Sequence, residues 1–223
     1  MKSGIKTIVL SAALAMLSAP SAHSLCLCVK CLTGAFRHFV VISGSMKPAL
    51  EPSTCLSLKL RNDPEVMPKP GDIIGFTPAT SETVFIFRLI AVPGQTVQMQ
   101  DGQLILYGTP VPRIPAPDYQ QLFAPEPSGG MPRCPSPVSE GESCAIPRFT
   151  ETLPNGTSHD ILDIEPSGFG DNTDIFTVPQ GHVFVLGDNR DNAADSRFSP
   201  QVGGQGYVPI DRITGTFDAV LVP

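Results

Sequence analysis

Two serines flank one glycine in Ser43-Gly44-Ser45, directly after an apolar run at residues 39–42 and just before Met46 and Pro48. A hydroxyl held at a strand-to-turn junction can attack a carbonyl carbon, provided a neighbouring group takes its proton. Gly44 gives such a junction the backbone freedom it needs. Ser-Gly-Ser alone is an ordinary turn, so the reading depends on what else the chain carries. A second segment, 183–197, ends an apolar strand in a dense alternation of charges and amides: Asp188, Asn189, Arg190, Asp191, Asn192, Asp195 and Arg197. Side chains packed at that density hydrogen-bond one another and nearby backbone. The pattern reads as a rigid, ion-paired buttress beside a site. A third segment, 69–91, opens with Gly71-Asp72 and continues into a β-branched and aromatic run broken only by Arg88.

Short strands must position these residues. The chain has 223 residues, of which 24 are proline and 20 glycine. Proline removes a backbone donor and breaks helices, so long helices are excluded over most of the chain. A hydrophobic share of 41% excludes a wholly disordered chain. Strands are expected at residues 39–42, 72–76, 84–92, 103–108 and 183–186, with turns at Val92-Pro93-Gly94 and Asp101-Gly102. The fold class is all-β. The net charge is −6 and no basic tract exists, so no nucleic-acid partner is expected.

The amino end sets the compartment. Lys2 and Lys6 precede an uncharged stretch whose strongly apolar part, residues 7–17, is short for a membrane span of about 20 residues. Ala19, Ser21, Ala22 and Ser24 offer cleavage sites for an export signal. No charge returns before Lys30, so a retained anchor stays open beside a cleaved signal, and a buried helix is the bland alternative. Either export reading places the body outside the cytoplasm. Cysteine usage fits export. Cys134 and Cys144 flank a loop rich in Pro, Ser, Gly and Glu, which a disulfide would staple; two free thiols are the alternative. Cys26, Cys28 and Cys31 cluster with no nearby His/Cys set to complete four metal ligands. They read as a membrane-proximal feature or a source of disulfides, and no metal site is expected.

The segments SGSMKP (43–48), KPGDIIGF (69–76), FRLIAVPG (87–94) and GDNRDNAADSR (187–197), in that order, resemble the boxes of bacterial type I signal peptidases, membrane-anchored serine endopeptidases. ETLPNG (151–156) and GYVP (206–209) fit the same pattern. The resemblance implies an antiparallel β-sheet catalytic core over residues 31–223 behind an amino-terminal segment of residues 1–30. It also implies a smaller β insertion at about 112–173 that carries Cys134 and Cys144. Ser45 would be the nucleophile, and Ser43 with the Ser45 N–H would form the oxyanion hole. The family's general base is a lysine directly before the arginine of the third segment, and here that position is Phe87. The serine that orients this lysine falls at Ala193. Both halves of the base apparatus are therefore missing. Arg88 is no substitute, since a guanidinium stays protonated and its side chain points to the opposite strand face. Lys47, Lys59, Lys69 and the histidines His23, His38, His159 and His182 lie elsewhere in the sequence.

Ile42, Met46 and Ile86 are the expected walls of the substrate pocket, which in this family accepts small residues one and three positions before the cut; Phe87 is expected to crowd it. The expected partners are exported preproteins or their signal peptides, and membrane lipid. The expected location is the bacterial inner membrane with the body in the periplasm, or the soluble periplasm if the amino segment is removed. No cofactor is expected. The function implied is recognition of signal-peptide cleavage regions with ordinary Ser/Lys cleavage weak or lost. The alternatives are an active peptidase using another base, and a secreted disulfide-bearing β module that binds a partner.

Overall fold

The structure, a computed structural model, describes residues 26–78 and 81–221. Most of the expected export segment lies outside the described residues. In chain order the strands are β1 (Phe36–Val40), β2 (Cys55–Leu60), β3 (Ile73–Phe76), β4 (Phe85–Ala91), β5 (Thr96–Gln100), β6 (Gln103–Leu106), β7 (Thr109–Pro110), β8 (Arg113–Leu122), β9 (Ser143–Thr152), β10 (Ser158–Leu162), β11 (Phe176–Thr177), β12 (His182–Leu186), β13 (Val208–Pro209) and β14 (Ile213–Val220). Among the described residues the helical segments are short 3-10 turns, so the fold is all-β, as the proline content requires.

The largest sheet has seven antiparallel strands in the order β1-β2-β14-β3-β4-β12-β13. Strand β3 and residues 183–186 of β12 are apolar runs buried on both faces, while β4 is interrupted by Arg88. Along β12, Val183 and Val185 join one core cluster with Ile74, Phe76, Phe87 and Leu89, while Phe184 and Leu186 join another with Ile90, Leu104 and Val178. The two-residue period of a strand sends alternate side chains into two cores. The second core lies under a four-stranded sheet, β11-β5-β6-β7. Asp101-Gly102 turns β5 into β6 with both residues at positive φ (47° and 72°), the geometry of a two-residue hairpin turn. Tyr107-Gly108 does the same between β6 and β7 (53° and 72°), a turn that lacks the usual Asn or Asp signal.

A third sheet, β10-β9-β8, carries a small core of Cys144, Ile146, Leu162 and Ile164. The Cys134–Cys144 disulfide closes its long β8–β9 connection. The cysteine cluster near the amino end is also oxidised. Cys28 bonds Cys31, and Cys26 bonds Cys55 at the start of β2, a partner the sequence reading did not find. By chain entropy the Cys26–Cys55 bond, spanning 29 positions, is worth about 4 kcal/mol, and Cys28–Cys31, spanning three, about 2 kcal/mol.

Candidate active-site groove

Beyond β1 the chain keeps its pairing for one more residue. The Val41 N–H donates to Thr54 O at 2.9 Å, and Val41 O accepts the Ser53 N–H at 2.8 Å. Alternation then turns the backbone groups of Ile42 away from β2. The next residues form a 3-10 turn, Gly44–Met46, whose Met46 is 2% exposed and anchors the turn in the main core. Asn189 holds the turn from the other side. Its N–H donates to Ser45 O and its Nδ2 to Gly44 O, both at 3.0 Å. Ser43 and Ser45 are thus brought together, with their Oγ atoms 3.2 Å apart in a hydrogen bond.

Phe87 and Ala193 converge on this turn. β3 pairs β4 with Phe87 opposite Ile74, which directs the Phe87 ring onto Phe76 at a centroid distance of 6.2 Å. Phe87 is 3% exposed and Ala193 8%. Gly187 packs where the three meet. A Cβ on Gly187 would lie 2.3 Å from the Ala193 methyl, 2.8 Å from Ser45 O and 3.4 Å from the Phe87 ring. No other residue than glycine fits there without displacing the turn. The Ala193 methyl and the Phe87 ring edge therefore meet around Gly187 on the carbonyl side of Ser45, and Phe87 lines the same groove as Ser45. The hydrogen-bond partner of Ser45 Oγ among the described residues is the Ser43 hydroxyl.

Arg88 takes the opposite strand face. It donates to both carboxylate oxygens of Asp188 (2.8 and 2.6 Å) and to Gly71 O (2.7 Å). The 187–197 segment is a buttress, but most of its pairs reach outward rather than within it. Asp188 pairs with Arg88, and Arg190 forks onto Glu151 of β9, both partners buried. Asp191 accepts the N–H groups of Ile164 and Glu165. Asp195 and Arg197 pair internally at 2.9 Å, and Asp195 also accepts the Gly187 N–H at 3.0 Å. Charges this deeply buried persist only with such partners, and truncating one side of such a pair costs about 3–5 kcal/mol.

A groove opens between residues 40–46 and residues 83–87, with a cavity of about 220 Å³. Ile42, Met46 and Ile86 all line it, as do Ser43, Ser45 and Phe87. Ile42 is 51% exposed at its mouth, while Met46 forms its floor. Two strand edges border the groove. β12 pairs with β4 only from Arg88 onward, leaving residues 85–87 unpaired on that side. Ile42 turns its backbone outward on the other. The Ile42 carbonyl already accepts the Ser128 N–H at 3.0 Å, from the loop after β8.

Sequence reasoning missed that loop's grip on the serine turn. Glu126 accepts the Gly44 N–H at 3.0 Å and the Lys47 ammonium at 2.9 Å, and Gln121 accepts Lys47 at 3.1 Å. Lys47 is 5% exposed and folded against Gly44, a structural cation held between two acceptors. Lys59 and Lys69 are exposed and make no hydrogen bond to the turn. His38 is exposed on β1, and His182 Nδ1–H donates to Gln180 O at 3.0 Å. His159 is buried beside Glu151, 3.6 Å from its carboxylate, with neither ring nitrogen hydrogen-bonded. Burial, with Arg88 and Arg190 close by, pushes its pKa down to about 2. His23 lies outside the described residues. Asp163, Asp171 and Asp191 bring one carboxylate oxygen each within 4.8 Å of the others. Arg113 and backbone N–H groups already engage Asp163 and Asp191.

Comparison with known proteins bears on this arrangement. The family model described as signal peptidase, peptidase S26, matches residues 13–222. A signal peptidase I of Rickettsia prowazekii is 32% identical over 151 residues, 65% of this chain and 48% of the relative. A signal peptidase I of Rickettsia bellii is 35% identical over 151 residues, 65% of this chain and 44% of the relative. The chain thus spans about half the length of the curated relatives it matches. A crystal structure of a signal peptidase I from Enterococcus faecalis aligns with a TM-score of 0.33 and 23% identity, covering 69% of this chain and 98% of that one. Because the family match runs through the serine turn, β4 and the buttress without leaving any of them out, the chain belongs to the signal peptidase family, peptidase S26.

Proposed function

We propose that this protein binds the cleavage regions of exported preproteins in the groove beside Ser45 and has lost ordinary Ser/Lys proteolysis. The observation that carries the reading is the environment of Ser45 Oγ. It meets a second hydroxyl, while the two positions that would supply and orient an amine are a phenyl ring and a methyl. A serine without a base loses roughly 10²–10⁴-fold in rate. The groove itself keeps what peptide recognition uses: an apolar pocket bordered by two strand edges, into which an extended segment can add backbone hydrogen bonds. Signal-peptide cleavage regions suit it because the cavity is lined mainly by apolar residues, Val41, Ile42, Met46, Ile86 and Phe87 among them.

Export of the body to an oxidising compartment accords with three disulfides and no free cysteine among the described residues. The amino segment would place it at the inner membrane facing the periplasm, or release it there after cleavage. Among the described residues no helix is long and apolar enough to cross a membrane, so an anchor would have to come from the segment before them.

Binding is measured directly by fluorescence anisotropy with a labelled peptide carrying alanine one and three positions before the cleavage point. Saturable binding is expected, weakened about tenfold by Ile42→Asp, which sets a carboxylate at the pocket mouth while leaving the core untouched. Absence of saturable binding, or binding indifferent to Ile42→Asp, contradicts the proposal.

A further inference from the structure

We propose that Cys28 and Cys31 form an exchange-active disulfide that trades electrons with cysteine pairs of extended polypeptides. The pair closes a Cys-Val-Lys-Cys turn. Its 3-10 segment, Val29–Thr33, buries no residue. The neighbouring Cys26–Cys55 bond already ties this segment to β2, and Cys55 is 3% exposed. Cys28–Cys31 therefore closes only a three-position loop within a segment its neighbour already anchors, whereas Cys26–Cys55 and Cys134–Cys144 each join separate parts of the fold. The bond with the least stapling work of the two near the amino end, partly open to solvent at both cysteines, is the one a thiolate can attack at least structural cost.

The surroundings suit a polypeptide substrate. Leu27, Val29 and Leu32, adjacent in sequence to the two cysteines, are 72%, 69% and 88% exposed and leave apolar surface beside the pair. Lys30, between the cysteines, reaches out to Asp218 at 3.2 Å and leaves that surface free. Two cysteines separated by two residues also let the second thiol resolve a mixed disulfide formed on the first.

The reaction balances. A substrate thiolate attacks one sulfur, the Cys28–Cys31 bond breaks, and the other sulfur leaves as a thiolate. The second substrate thiolate attacks the mixed disulfide, forming the substrate disulfide and freeing the first cysteine. The substrate loses two electrons, the pair gains two, and two protons pass from the substrate thiols to Cys28 and Cys31. With a disulfide substrate the same steps run in reverse. Oxidised glutathione serves as the oxidant that restores the bond.

The test equilibrates the full folded chain with graded mixtures of reduced and oxidised glutathione, then alkylates and assigns each cysteine by mass spectrometry. Cys28–Cys31 is expected to open at a reduced-glutathione level at least tenfold below that needed for the other two bonds, with near-ultraviolet circular dichroism unchanged. A two-cysteine peptide should be oxidised by the wild-type chain and at least tenfold more slowly by Cys28→Ser/Cys31→Ser, which keeps Cys26–Cys55 and the fold. Reduction of all three bonds together, or equal peptide oxidation by the double variant, overturns the proposal.

Discussion

Ser45 lies on the groove wall, its Oγ 3.2 Å from Ser43 Oγ and its carbonyl held by Asn189. What surrounds it chemically was legible because the boxes around residues 43–48, 87–94 and 187–197 are contiguous in sequence. Phe87 and Ala193 could be placed by position alone, and the contact of both with Gly187 gives the reason they matter together. A lysine in place of Phe87 would carry its stem along the path of the ring, and a serine in place of Ala193 would offer it a hydroxyl. The role of Lys47 was not legible. Its partners Gln121 and Glu126 lie 74 and 79 positions away, and nothing local in SMKPA marks an ammonium that ends up buried. Glu151 was visible only as part of a resembling box; that it forks with Arg190 follows from β9 packing behind the buttress.

At the scale of elements, the loop after β8 is a strap across the groove. Ser128 donates to the Ile42 carbonyl, and Glu126 caps the Gly44 N–H. An extended peptide added along that edge must compete for the same carbonyl. Ser128→Pro removes the competing N–H without adding charge. One backbone hydrogen bond is worth roughly 0.5–1.5 kcal/mol, so peptide affinity is expected to rise about two- to tenfold by anisotropy. Unchanged or weaker binding would show that the strap does not compete. Strand positions were largely readable, because apolar runs bounded by Gly, Pro and Asp are strong signals. The β6–β7 turn escaped since Tyr107 adopts a left-handed backbone that nothing in its chemistry announces. Cys55 escaped because a single cysteine opening a strand gives no sign of a partner 29 positions back.

At the scale of the whole molecule, the buried Arg190–Glu151 pair joins the loop after β12 to β9 of the third sheet, and His159 is buried beside it. Arg88 and Arg190 face it as cations, Glu151 as an anion, and burial is the largest cause of its lowered pKa. The unfolded chain has an ordinary histidine near 6.5, the native one about 2. Between these values the unfolded state binds the extra proton, so native stability is full above pH 6.5 and falls as pH drops toward 2. The slope approaches about 1.4 kcal/mol per pH unit well below pH 6.5, or about 2 kcal/mol in all between pH 6.5 and 4.5. His159→Leu fills the site without a titrating group. Urea unfolding across that range should show the variant losing less stability than wild type by about that amount. Parallel curves would mean that His159 does not couple folding to protons.

The most direct measurement is single-turnover cleavage of a preprotein with alanine one and three positions before the cut. It compares the wild type, Ser45→Ala and Phe87→Lys/Ala193→Ser by mass spectrometry of the new amino terminus. Wild type and Ser45→Ala should be equally inert, and the double variant should cleave at least 100-fold faster than either, since only the proton acceptor is missing. Cleavage by the wild-type chain that disappears in Ser45→Ala would contradict the account, because some other group would then be taking the proton.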